Sequence, residues 1–205
     1  DLNVLVLVDG VDMTHLRQEG AVARAWGDAG NPPPLTLTVE EWTGSADIFP
    51  MEYADILSYH RVLHGALPRD GVQVNRADLR LQLEHEARSK VLRLRHAILS
   101  AGAAPRAMAQ LLADSASTML VLLRAALRLA GEDPPADSFA MLDRVQAQTG
   151  LNVEVFRRVL RHRRGEAKLE GDAAVRAAEE YLAGATALAR WVDQQSAGQH
   201  SPRGE

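Results

Sequence analysis

A small α/β unit followed by an all-α antiparallel helical bundle is the fold class that this sequence of 205 residues predicts. Three observations predict it. Residues 2–8 form a nearly continuous apolar run, as in a strand covered on both faces. Beyond residue 76, apolar residues recur every three or four positions through successive windows, which is the helical period. The charge balance also breaks between these regions. Residues 1–75 hold eleven acidic against four basic residues, a net −7, and the rest hold nineteen basic against sixteen acidic, a net +3. The expected domains are 1–65, built on a small mixed sheet, and 76–195, a helical bundle. A polar tail over 196–205 is expected to be disordered.

Each element has a local cause. Leu2–Val8 is the first strand. Asp9-Gly10-Val11-Asp12 is a strand-to-helix turn in which Asp12 caps a helix through about Trp26, with Leu16, Ala23 and Trp26 on one side. Gly27, Gly30 and Pro32-Pro33-Pro34 end it. Leu35–Thr38 alternates with period two and is a short strand. Thr38-Val39-Glu40-Glu41 fits a capping box, so a short helix follows. Pro50 suits a first helical turn and starts a helix to about Leu57. Arg61–His64 reads as a short strand stopped by Gly65.

In the second part, Leu79, Leu83, Ala87, Val91, Leu94 and Ile98 line one side of a helix over 77–100. Gly102 and Pro105 separate it from a helix over 105–130, with Leu112, Met119, Leu122, Leu123 and Ala126 inward. A third helix, capped by Ser138, runs to about Gln148 before Gly150. A fourth, capped by Asn152, carries Val155, Phe156, Val159 and Leu160. A fifth, opened by Asp172, carries Val175, Tyr181, Leu182, Leu188 and Trp191. Short connections between such helices make an antiparallel bundle.

Composition narrows the function. The chain is 46% hydrophobic and 24% charged, but only 4% aromatic, so its core is aliphatic and Ala-rich. It has no Cys, which excludes disulfides, thiolate metal sites and Cys nucleophiles. No unbroken apolar run approaches the ~18 residues of a membrane span. A cytoplasmic protein is expected, with no membrane partner.

Asp1 and Asn3 are spaced to project together from one side of the first strand. A strand with polar residues at i and i+2, a helix, a Pro-Leu-x-Leu-Thr strand (Pro34–Thr38) and a helical domain resembles the nucleotidyltransferase superfamily, the group of DNA polymerase β and the MNT proteins. The stretch from Phe49 through Gly65 also looks like the segment that leads such domains into their bundle. The resemblance covers most of the chain, but its specific content lies in residues 1–38. It implies a nucleotidyltransferase-like α/β domain, incomplete here, in which a Gly-Ser motif before the first strand holds the triphosphate. Two strand acids then bind Mg²⁺, and a third acid on the neighbouring strand assists. Hard anionic oxygens suit octahedral Mg²⁺, and two ions clamp the attacking and leaving oxygens.

Against that pattern the first acid matches Asp1, the second position is Asn3 and the third falls on Thr36. The Gly-Ser motif would lie before Asp1. Three carboxylates have become one, which is expected to abolish a two-metal mechanism. The resemblance therefore implies a catalytically degenerate homologue, a pseudoenzyme with a nucleotide-binding, regulatory or interaction role. The alternative is an active transferase that moves a nucleoside monophosphate from ATP or another nucleoside triphosphate to a hydroxyl. In it Asp1 holds Mg²⁺, and Glu52 or Asp55 supplies the missing acid. A third reading is a helical interaction module of toxin–antitoxin type, with a homodimer or protein partner through the bundle.

Other patterns are weaker. Arg76, Arg80, Glu84, Arg88 and Arg95 follow the polar side of the first bundle helix. Arg80 and Arg88 are candidate phosphate contacts, set against an ordinary ion-paired surface. Arg80/His85 and Arg157/His162 match the Arg-x(4–6)-His spacing of HEPN-type ribonucleases, yet Arg is so frequent nearby that solvated helix faces are the better reading. The run Arg157, Arg158, Arg161, Arg163 and Arg164 fits a helix C-terminus, where cations complement the dipole. Without interleaved aromatics, nucleic acid is not an expected partner.

Overall fold

The computed structural model describes residues 3–102 and 104–197, and these divide between Asn75 and Arg76 into two compact units. In the first unit, strand β1 (Leu5–Val8) leads into helix α1 (Met13–Asp28) and strand β2 (Leu35–Thr38). The helices α2 (Val39–Gly44) and α3 (Pro50–Ser58) follow. The β1–α1–β2 crossover makes the two strands parallel, with Leu5, Val6, Leu7 and Val8 opposite Leu35, Thr36, Leu37 and Thr38.

The local signals act as expected here. Asp12 accepts from the Thr14 and His15 amides at 2.8 and 2.9 Å and caps α1. At α2 both halves of the capping box form. The Glu41 amide donates to Thr38 Oγ1 at 3.0 Å, and the Thr38 amide donates to Glu41 Oε2 at 2.7 Å. Pro50 sits in the first turn of α3. The core of this unit is Trp42, Ala46, Tyr53 and Val72, with Leu5, Leu7 and Leu37 of the sheet packed on it. Trp42 and Tyr53 stack at 4.3 Å, and each spends its polar end on a carbonyl, Trp42 on Pro68 and Tyr53 on Trp42 itself.

Two expectations fail in this unit. The sheet is not mixed among the described residues: it consists of β1 and β2 alone, both parallel. Arg61–His64 forms no strand, and all four residues are exposed. Its apolar pair, Val62 and Leu63, has no ladder to join, and an extended segment without a hydrogen-bonded neighbour is not a strand.

The second unit is helical: α4 (Arg76–Ala101), α5 (Pro105–Leu129), α6 (Ser138–Thr149), α7 (Glu154–Arg163) and α8 (Gly171–Ala197). Helices α4, α5 and α8 pack against one another; α6 and α7 lie on α5, and α7 also meets α8. The predicted inward residues of α5 are all buried. The cap of α6 is Asp137, not Ser138, because the Asp137 carboxylate reaches the Phe139 and Ala140 amides. Asn152 does bond the Glu154 amide at 3.0 Å, although Val153 holds the boundary position of α7. Gly150 ends α6 in the left-handed region, φ 71°, where a side chain would be strained. Gly184 lets α7 and α8 approach, since a Cβ there would meet the Phe156 ring at 2.8 Å.

By length and composition α5 also passes for a membrane span, with a mean hydropathy of 1.2 over 18 residues. Half of that window is buried within the protein, as in the central helix of a bundle. The expected tail over 196–205 lies almost entirely outside the described residues.

Candidate functional site

The residues expected at a transferase site fall in three places. Asp1 lies outside the described residues. Asn3 precedes β1 and is exposed. Thr36 is on β2 opposite Val6, so it shares the sheet face of Val6 and Val8. That face meets α1: Thr36 Oγ1 donates to Glu19 Oε2 at 3.0 Å. The other face, carrying Leu5, Leu7 and Leu37, turns to the Trp42–Tyr53 core. The register therefore separates Thr36 from the odd-numbered positions of β1, to which Asn3 belongs by parity.

Glu52 and Asp55 both lie on α3, the first exposed and the second half-buried. Among the described residues no group of three or more His, Asp or Glu is placed to hold a metal ion.

Arg80 and Arg88, the candidate phosphate contacts, are both engaged. Arg80 Nη1 meets Glu84 Oε2 at 2.7 Å, and Arg88 Nε meets Glu84 Oε1 at 3.0 Å. Arg88 also reaches across to Asp193 of α8 at 3.2 Å. The Arg80 guanidinium, seconded by Arg88, holds the Glu84 carboxyl below its usual range. This is a carboxylate-centred network between two cations, the ion-paired surface weighed above.

The other basic run is likewise divided among neighbours. Arg157 pairs with Asp143 of α6 and Arg158 with Glu180 of α8, while Arg163 donates to Ser117 of α5. Arg161 and Arg164 lie over the Phe139 ring at 5.8 and 4.8 Å. The Leu169 amide donates to His162 Nδ1 at 3.3 Å, and His85 is exposed beside Glu86.

Sequence reading missed a buried polar cluster inside the bundle. Lys90, only 8% exposed, points from α4 into α5, where its ammonium donates to the Ser115 carbonyl at 3.2 Å and to Thr118 Oγ1. Burial, with the nearby Arg93 charge, pulls the Lys90 ammonium down to about 8. The Ser115 Oγ and the Tyr181 hydroxyl of α8 are buried without hydrogen-bond partners among the described residues. Burial pushes the Tyr181 phenol up, and the Ser115 hydroxyl beside it offsets part of that shift without reaching bonding geometry. The gap here, between Met119, Leu120, Phe156, Val159 and Tyr181, is far smaller than the roughly 300 Å³ or more of a ligand pocket. A signal for this cluster exists in the sequence. Lys90 is seven residues after Leu83 and four before Leu94, and Ser115 is three after Leu112 and four before Met119, so both occupy apolar-stripe positions.

Comparisons with protein-family models, with curated proteins and with solved structures returned no match.

Proposed function

We propose that this chain acts by binding rather than by chemistry: a regulatory or interaction module on a nucleotidyltransferase-like α/β unit in which Asn3 and Thr36 stand where two of the three metal-binding acids would be. The observation that carries this reading is the state of the two arginines. A triphosphate site needs cations free to meet phosphate. Arg80 and Arg88 instead share Glu84, and Arg88 is tied to Asp193 as well. Thr36 supports the same reading, since its hydroxyl is committed to Glu19 on the α1 face of the sheet.

The test is calorimetric titration of ATP into the chain, with and without Mg²⁺. The expected result is no Mg²⁺-dependent binding tighter than about 100 µM, roughly −5.5 kcal/mol. Tighter, Mg²⁺-dependent binding would overturn the proposal in favour of an active transferase, with Asp1 and Glu52 or Asp55 as its ligands.

A further inference from the structure

The two strands of the first unit leave their outer edges in different states. Leu5 lies opposite Leu35, and the Leu35 amide donates to the Val4 carbonyl at 2.8 Å. Along a parallel ladder, residues alternate between turning both backbone groups to the neighbour and turning both away. Val6 therefore spends its N–H and C=O on β2, while Leu5 and Leu7 turn theirs to the outer edge of β1. Among the described residues no backbone group bonds them there. The outer edge of β2 is blunted instead. Pro34 has no N–H, and the Thr38 amide is taken by Glu41 Oε2 at 2.7 Å, which leaves Thr36 as the donor on that side. The side chains of β1 agree with an inner strand, since Leu5 and Leu7 turn to the Trp42–Tyr53 core and Val6 shares the face that meets α1. A two-stranded sheet is marginal by itself, and a third strand on β1 would extend it.

We propose that the outer edge of β1 takes up, as a third strand, an extended segment of another protein that is apolar along its middle and basic at both ends. This names the partner class of the interaction module proposed above and rests on that reading. The backbone selects an extended chain, because another strand meets the alternating donors and acceptors of Leu5 and Leu7 at their own spacing. Charge selects the flanks. Asp1 and Asp9 bracket β1 in the sequence, and residues 1–75 carry a net −7. A second copy of the chain paired through β1 would bring two such acidic units edge to edge, whereas basic flanks meet opposite charge at both ends of the strand.

The test is amide hydrogen exchange of the whole chain, read residue by residue by NMR. In the free chain the Leu5 and Leu7 amides are expected to exchange at least about tenfold faster than the Val6 amide, which is bonded within the sheet. The probe is a synthetic peptide of alternating valine and threonine between paired lysines. It is expected to slow Leu5 and Leu7 by at least about tenfold, while the same peptide with glutamates in place of the lysines leaves them fast. Leu5 and Leu7 already protected in the free chain, no slowing with the lysine peptide, or equal slowing with the glutamate peptide would each overturn the proposal. No nucleotide or Mg²⁺ enters this experiment, so it and the ATP titration can fail separately.

Discussion

Lys90 sits where an apolar side chain would pack and holds its ammonium with two oxygen acceptors of α5. Its pKa falls from 10.5 to about 8 on folding, so between those values the unfolded chain binds more protons than the folded one. Stability therefore rises with pH across about 8 to 10.5, and the deficit is fully present below 8. Replacing Lys90 by Met removes the buried charge while keeping most of the volume, at the loss of two hydrogen bonds. The expected outcome is a variant at least as stable at pH 7, whose denaturation midpoint no longer climbs between pH 8 and 10. Urea melts across that range check it, and an unchanged slope in Lys90→Met would refute the assignment. Sequence periodicity contained this residue at an apolar-stripe position, but the charge pattern of α4 draws attention to its arginines and Glu84, and Lys is almost never buried, so nothing in the sequence singles Lys90 out. Thr36 gives the opposite lesson. Its place on a strand was legible, but its partner was not, because Glu19 reaches it from seventeen residues away.

Elements defined by local chemistry were legible, and so were the two strands that pair with each other, whereas the strand expected at Arg61–His64 was not formed. The Thr38–Glu41 capping box and the Asp12 cap are closed by residues two or three apart, so they can be read from a short window. Thr38→Ala removes one half of the box and is expected to cost the first unit about 1 kcal/mol, measured by Trp42 fluorescence during denaturation. No change would mean that packing of Trp42, not the cap, holds α2. The five bundle helices were legible for the same reason: a helix satisfies its own backbone, and its apolar face repeats along the sequence. Arg61–His64 has a strand-like composition, but a strand's hydrogen bonds belong to its neighbour, and none is provided.

On the scale of the molecule, the two units have unequal means of stability. Among the described residues, six of the forty buried apolar side chains lie in the first 75 residues and the rest in the helical unit. The first unit depends on one stacked pair, Trp42 and Tyr53, together with half-buried strand residues. It is expected to unfold at lower denaturant than the bundle. Trp42 fluorescence in a Trp26→Phe/Trp191→Phe background should therefore fall before the far-ultraviolet circular dichroism, which the bundle dominates. Coincident transitions would show that the units unfold together. By itself the sequence determined the succession of α1, β2 and the bundle helices, the cap that starts α2, and the charge contrast between the halves, because each is written in neighbours or in a repeat along the chain. Only the tertiary structure decided that Arg88 also reaches Asp193 of α8, that Lys90 is buried against α5 and that Thr36 faces α1. Those depend on distant residues meeting in space, and pairwise contacts across long loops leave no period in the sequence.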